Sequence, residues 1–549
     1  MMKRKLVLLL SGILLTATFF SFKSDGFEIA KQIEIFVAFF KQLNTNYVDE
    51  TNPAELMNTA MTAITKDLDP YTKFWTEQDV EAGKIRSSGK YVGIGANLFT
   101  DDPEGEETDS RIIISEPFKN FPADKSGLKA GDEIIKVDDV LVKDYIGKPA
   151  ELLKGEAGTK VVLTYLRQGK KQVTSVNRSL IEVDAVPFYR LLSDNTGYIV
   201  LSRFSQTASS GIISALRELK AEGADKLILD LRGNPGGLLT EAVNVCNIFV
   251  KKDLKIVHTE SVISDHKKEY KTKNRVLYND IPLVVLVNGR SASASEIVSG
   301  SMQDLDRGII VGARSFGKGL VQSKRPLKHN TQLKITTSRY FIPSGRCIQS
   351  LDYWNRDGDD KPTRIKKSDF KAFKTVNSRT VYDGGGVFPD VEVESTKQSE
   401  IAKALLKERV IFDYATIFYY LHKFSKLEDF VFTDADYNAF LDFIKQNKFE
   451  FETKTDALLE DLWIVAEKET LDKRISSEYK ALKQRLLQAK KEALKAQEKE
   501  IRELLKKEII KRYFYREGMY AYEVSNSDEV VEAQKILKDK ARYNKILGN

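Results

Sequence analysis

The 549-residue chain is too long for one hydrophobic core and predicts several domains, with 42% apolar and 30% charged residues in an ordinary globular balance. Its net charge of +7 is a thin excess of 86 basic over 79 acidic residues and implies no nucleic-acid-binding surface. Two cysteines and four scattered histidines exclude a disulfide scaffold and offer no zinc-ligand spacing, so neither metal nor cofactor is expected.

Residues 1–22 join the basic opening Lys3, Arg4 and Lys5 to an apolar run, the pattern of a signal peptide or membrane anchor. The chain is therefore expected to be exported to a periplasmic or other extracytoplasmic space, with an inner-membrane tether through this segment as the alternative to cleavage. Residues 27–82 predict a helical N-terminal region, because Ile29, Ile33, Phe36, Val37 and Phe40 fall on one helix face.

From 83 to 183, short strands and glycines predict a separate β-rich domain. Tyr91–Leu98 reads as one strand, and the acidic stretch Asp101–Asp109 as a solvated loop. From 184 to 396 strands alternate with helices, predicting an α/β core with a mostly parallel sheet, and 350–383 as an insertion loop. Cys246 reads as a buried free thiol on a helix. Residues 397–549 predict a helical, Lys/Glu-rich C-terminal domain. Its Arg474–Ala496 stripe fits packing on the protein itself better than a partner helix.

Three segments of the core carry chemistry. LRGNPGG (231–237) ends a buried strand and offers glycine amides to a developing negative charge, although a plain βα turn has the same pattern. NGRSASASE (288–296) joins a strand to a helix, where a serine can be presented above a sheet. Ser293 with Glu296 also spells a capping box, so this segment alone does not separate a nucleophile from a helix cap. SFGKGLVQ (315–322) sets Lys318 among small residues, with Gln322 on the same strand face, and a desolvated lysine can act as a base.

Together DLRGNPGG, NGRSASASE and RSFGKGLVQ resemble the carboxyl-terminal processing peptidases, or tail-specific proteases, with LDPYTKFW, SRYFIPSGRCIQ and GGGVFPDVEV as supporting stretches. The resemblance covers about residues 29–393. It implies a multidomain α+β fold, with a PDZ-like domain beside a crotonase-like α/β catalytic core and helical terminal regions. It places the nucleophile on Ser293, the general base on Lys318 and the orienting glutamine on Gln322. Oxyanion donors fall on the amides of Ala294 and of a loop glycine, Gly236 first.

Val92, Gly93, Ile94 and Gly95 form the loop that would receive a substrate's terminal carboxylate, and the 101–109 segment would shade that groove against acidic tails. The implied partners are protein substrates with apolar C-terminal tails. A homodimer through the terminal helices and an adaptor protein are further expectations. Two other readings stay open. One is a non-catalytic PDZ scaffold that binds protein C-termini, and the other a Ser-His-Asp hydrolase using one of His258, His266, His329 or His422.

Overall fold

The computed structural model describes the chain outside residues 1–23, 101–109, 146, 357–361, 394–397, 448 and 450. The signal or anchor segment and the acidic stretch thus lie outside the described residues. No described helix is long and apolar enough to cross a membrane. The chain divides into two compact units, Met1–Val80 with Gln322–Thr336, and Glu81–Val321 with Thr337–Asn549.

The smaller unit holds the helices Ser24–Asn46 and Pro53–Leu68 and, unforeseen in a region read as helical, the strand Lys73–Trp75. The LDPYT stretch explains that strand. The Asp69 carboxylate accepts from the amides of Tyr71 and Thr72 and from the Thr72 hydroxyl, which turns the chain into register. Lys73–Trp75 then pairs antiparallel with Gln332–Lys334, and the ammonium groups of Lys324 and Lys334 lie over the Trp75 ring, 4.9 and 5.6 Å from its centroid.

In the larger unit, a six-stranded sheet holds residues 188–191, 196–200, 226–230, 283–287, 309–312 and 391–392 in that order. All pairings are parallel except the first. Side chains alternate across a strand, and here both faces are buried, so the strands read as continuous apolar runs. Ile199, Leu229, Val285 and Ile310 face one core, shared with the helices Ala208–Ala221, Leu239–Phe249 and Ala294–Asp304. Cys246 lies in this core, and burial pushes its thiol pKa up to about 12.

Tyr198, Val200, Ile228, Val284, Leu286 and Val311 face a second core, and the residues covering them come from the end of the chain: Val530, Ala533, Ile536, Leu537 and Tyr543. The region 397–549 is therefore not one appended domain. Its first part packs around its own cluster, with Tyr414, Phe418, Phe440, Leu505 and Ile509. Its last helices, Asp528–Lys538 and Lys540–Ile546, form a layer of the α/β core. The expected Arg474–Ala496 helix runs Asp472–Ala496 with no buried residue, although the Trp463 and Tyr479 rings meet at 4.3 Å.

The expected insertion loop is instead built of short antiparallel ribbons, 351–356 with 362–364 and 372–374 with 380–382. The PDZ-like domain is a sheet in the order 96–100, 112–117, 133–137, 160–167, 170–177. The strand expected at Tyr91–Leu98 breaks in two, because Gly95 adopts φ +75°. Lys90–Gly93 pairs with Ser179–Glu182, and Ala96–Thr100 becomes an edge strand.

Candidate active site

Ser293 caps the N-terminus of the Ala294–Asp304 helix with φ 56° and ψ −112°, a conformation that costs a non-glycine residue about 1–3 kcal/mol. Such strain at a strand-to-helix turn lifts the side chain away from the helix axis. On the Ser293 side the capping exchange runs through backbone atoms. The Glu296 carboxylate accepts from the Ser293 N–H at 2.8 Å, and the Glu296 N–H donates to the Ser293 carbonyl oxygen at 2.8 Å. The Ser293 hydroxyl adds no cap hydrogen bond.

The strained turn is held by the LRGNPGG loop. The carbonyl of fully buried Asn234 accepts from Ala292 N–H (3.0 Å) and from the Ser295 hydroxyl (2.9 Å), while its side chain donates to the Leu201 carbonyl at 2.7 Å. The Ser291 hydroxyl donates to the Leu231 carbonyl at 2.7 Å, and Asn288 Oδ1 accepts from Gly233 N–H at 3.0 Å. A Cβ at Gly236 would stand 2.6 Å from the Ala292 carbonyl oxygen and 2.9 Å from Ser293 Cβ, so only glycine permits this approach. Two motifs, joined across 55 residues by the Gly233–Asn288 bond, thus form one built surface.

The SFGKG loop meets the same turn through two buried side chains. Glu296 accepts four hydrogen bonds: from Ser293 N–H, from the Ser315 hydroxyl (2.5 Å), from Gly317 N–H (2.6 Å) and from Lys318 N–H (2.9 Å). Burial pushes its pKa up to about 7, against the pull of those donors. The Tyr340 hydroxyl lies 2.6 Å from the Lys318 carbonyl oxygen and 3.2 Å from that of Ser293, donating to both. The backbones of Ser293 and Lys318 are therefore tied amide to amide by one residue and carbonyl to carbonyl by the other.

Supporting stretches also acquire a role. Gln349 Oε1 accepts from Gly319 N–H at 2.7 Å, Ser350 N–H donates to the Gly317 carbonyl at 2.9 Å, and Val387 N–H donates to the Ser315 hydroxyl oxygen at 2.7 Å.

Ser293 and Lys318 are both half-buried. Gln322 lies in the strand Leu320–Pro326, and its amide nitrogen donates to the Thr336 hydroxyl at 3.2 Å. Among the described residues the Ala294 N–H meets no hydrogen-bond acceptor. Gly236 departs from expectation: its N–H goes to Asn234 Oδ1 at 2.8 Å inside its own loop, so it supplies close approach and not a donor. The Phe204–Gly237 bridge uses the Gly236 carbonyl and the Leu238 amide, which turns the Gly237 N–H away from Phe204.

Two residues escaped the sequence reading. Glu296 was legible only as a cap, because its second set of donors arrives from 19 to 22 residues later in the chain. Tyr340 carried no signal beyond its place in SRYFIPSG. As for the histidines, His258 stacks on Phe341 with ring centroids 5.1 Å apart, and His422 on Phe418 at 4.0 Å within the C-terminal cluster.

The tail-binding loop also differs from expectation. Val92 and Gly93 belong to a strand ladder, and Gly93, Ile94 and Gly95 are buried where exposed amides were expected. The reason is aromatic cover: a Cβ on Gly95 would stand 2.6 Å from Phe121, and one on Gly93 3.0 Å from the Tyr91 ring. Burial pushes the Tyr91 hydroxyl's pKa up to about 12.

Comparison with known proteins extends these observations. Residues 195–352 match the model of Peptidase family S41, residues 93–177 that of the PDZ domain, and residues 401–537 that of the "Probable PDZ-protease, C-terminal helical domain". A "Probable CtpA-like serine protease" of Staphylococcus haemolyticus is 31% identical over 389 residues, covering 69% of this chain and 74% of the relative. A "Carboxy-terminal-processing protease" of Bartonella bacilliformis is 32% identical over 362 residues, covering 64% and 81%. Among solved structures, the photosystem II D1 C-terminal processing protease is 25% identical with a TM-score of 0.35, covering 66% of this chain and 93% of that one. With a PDZ domain, an S41 peptidase domain and relatives matched over most of their length, the chain belongs to the carboxy-terminal-processing protease family and is a serine-type peptidase.

Proposed function

We propose that the protein is a Ser-Lys endopeptidase, with Ser293 as nucleophile and Lys318 as general base, acting on proteins chosen by their C-terminal tails. The observation that carries this reading is the double tie, through Glu296 and Tyr340, between the strained Ser293 turn and the Lys318 loop. A helix cap has no need of positive φ, nor of a bond network reaching a lysine loop.

The neutral Lys318 amine takes the Ser293 hydroxyl proton as the oxygen attacks the scissile carbonyl carbon. The oxyanion is received by the Ala294 N–H and, in place of Gly236, by the Gly237 N–H. The tetrahedral intermediate expels the amine, which leaves with the proton from Lys318. Water, deprotonated in turn by Lys318, then hydrolyses the ester and restores Ser293. Gln322, four residues beyond Lys318, keeps the orienting role that the family resemblance assigns.

Tail selection is supported by the Ala96–Thr100 edge strand, to which an extended tail can add by β-augmentation. Gly93, Ile94 and Gly95 would lie at the tail's end once Tyr91 and Phe121 yield. Export, a membrane tether through residues 1–22, a homodimer and an adaptor belong to the same reading.

The test is cleavage of a protein with an apolar tail by wild type, Ser293→Ala and Lys318→Ala. Loss of cleavage in both variants, with unchanged melting behaviour, is the expected result. Cleavage undiminished in either would overturn the assignment, and tail binding without cleavage by wild type would support the scaffold reading.

A further inference from the structure

Arg232 opens the glycine loop that lies against Ser293, and its guanidinium is gripped from two directions. From its own strand, Asp230 accepts from Nε at 3.1 and 3.0 Å and from Nη2 at 2.6 Å. Asp230 also accepts from the Arg232 amide at 2.8 Å and from the Tyr198 hydroxyl at 2.5 Å. From the far side, Nη1 donates to the Ser527 hydroxyl oxygen at 2.7 Å and to Glu529 at 2.9 Å, and the Ser527 hydroxyl in turn donates to Glu529 at 2.6 Å.

Ser527 is the N-cap of the Asp528–Lys538 helix, which is fastened beneath the catalytic sheet by Val530, Ala533, Ile536 and Leu537. The grip is consequently rigid: its foundation is a core layer and not a loop. Arg232 and Glu529 are each only 16% exposed, so the pair is partly desolvated, and its forked geometry fixes direction as well as distance.

We infer that Ser527 and Glu529 are positioning residues for the peptidase: acting through Arg232, they hold the 232–237 loop against the Ser293 turn. The inference rests on the reading of Ser293 as nucleophile. Neither residue touches the reacting atoms. Their effect is transmitted by the short covalent path from Arg232 to Gly236, whose backbone packs on Ala292 and Ser293. A function for the family's helical C-terminal region follows, since its last helices complete the catalytic loop's support.

The test uses the full chain, a fluorogenic peptide with an apolar tail, and a fluorophosphonate that labels the nucleophilic serine. The variants are Ser527→Ala, Glu529→Gln, Arg232→Gln, the Arg232→Gln/Glu529→Gln double, and Ser293→Ala as control. Ser527→Ala and Glu529→Gln should each lower kcat and the labelling rate by about tenfold, with KM within about twofold, because a small misplacement is felt in the transition state more than in binding.

The double variant should be no slower than Arg232→Gln alone, as two members of one unit are non-additive. Unchanged kcat in both single variants, a change confined to KM, or a multiplicative double would overturn the inference. If Glu529→Gln does not fold, Ser527→Ala decides, since it keeps both charges. Cleavage that survives in Ser293→Ala would instead overturn the underlying reading, and so separates the two failures.

Discussion

Two glycine-bearing turns of this molecule are built in opposite ways. At the Ser293 turn, neighbouring side chains and loops consume nearly every backbone donor and, among the described residues, leave the Ala294 N–H beside the strained serine without an acceptor. At the 92–95 loop, the protein's own aromatic side chains, Tyr91 and Phe121, cover the glycines. A prepaid arrangement suits a site that must stabilise charge without reorganising, whereas a covered loop suits one that a ligand must open.

The contrast is broken most forcefully at Glu296. Glu296→Gln cannot accept from four donors at once, and kcat should fall by about a hundredfold, the scale of a lost preorganised contact. Steady-state kinetics with a tailed peptide check this. Tyr340→Phe removes one hydroxyl from the carbonyl side of the same tie and should lower kcat by about tenfold with little change in melting temperature.

The buried carboxyl adds a pH signature. Its folded-state pKa of about 7 lies above the ordinary carboxyl range, so the folded state binds this proton more tightly than the unfolded chain does. The stability contributed by that proton is complete below the unfolded carboxyl range and is lost as the pH rises through about 7. The melting temperature of wild type relative to Glu296→Gln should therefore decline between about pH 5 and pH 8, and a pH-independent difference would contradict the burial argument. The smallest effect is expected at the covered loop. Tyr91→Ala removes the ring that stands beside Gly93 and should tighten a tail peptide by a few fold in calorimetry, about 0.5–1 kcal/mol.

The same contrast separates what was legible in the sequence from what was not. Parallel strands such as Leu283–Val287 were readable because burial on both faces makes them continuous apolar runs. The assembly of LRGNPGG, NGRSASASE and SFGKG was readable as a set because each sits at a strand end, where an α/β sheet gathers its loops. Glu296 was not readable beyond its local cap, since its other partners are tertiary. Nor was the second face of the sheet, which is covered by helices that composition alone marked as an appended domain. The glycines at 93 and 95 suggested exposed amides, but the cover given by Phe121 depends on where a separate turn returns in space.

The most direct measurement of the central claim is mass-spectrometric labelling of the intact protein by a fluorophosphonate, comparing wild type with Lys318→Ala. Covalent modification of Ser293 in wild type, slowed by about a hundredfold or more without the lysine, is the expected result for a nucleophile activated by an adjacent base. Equal labelling rates, or modification at a different serine, would contradict it.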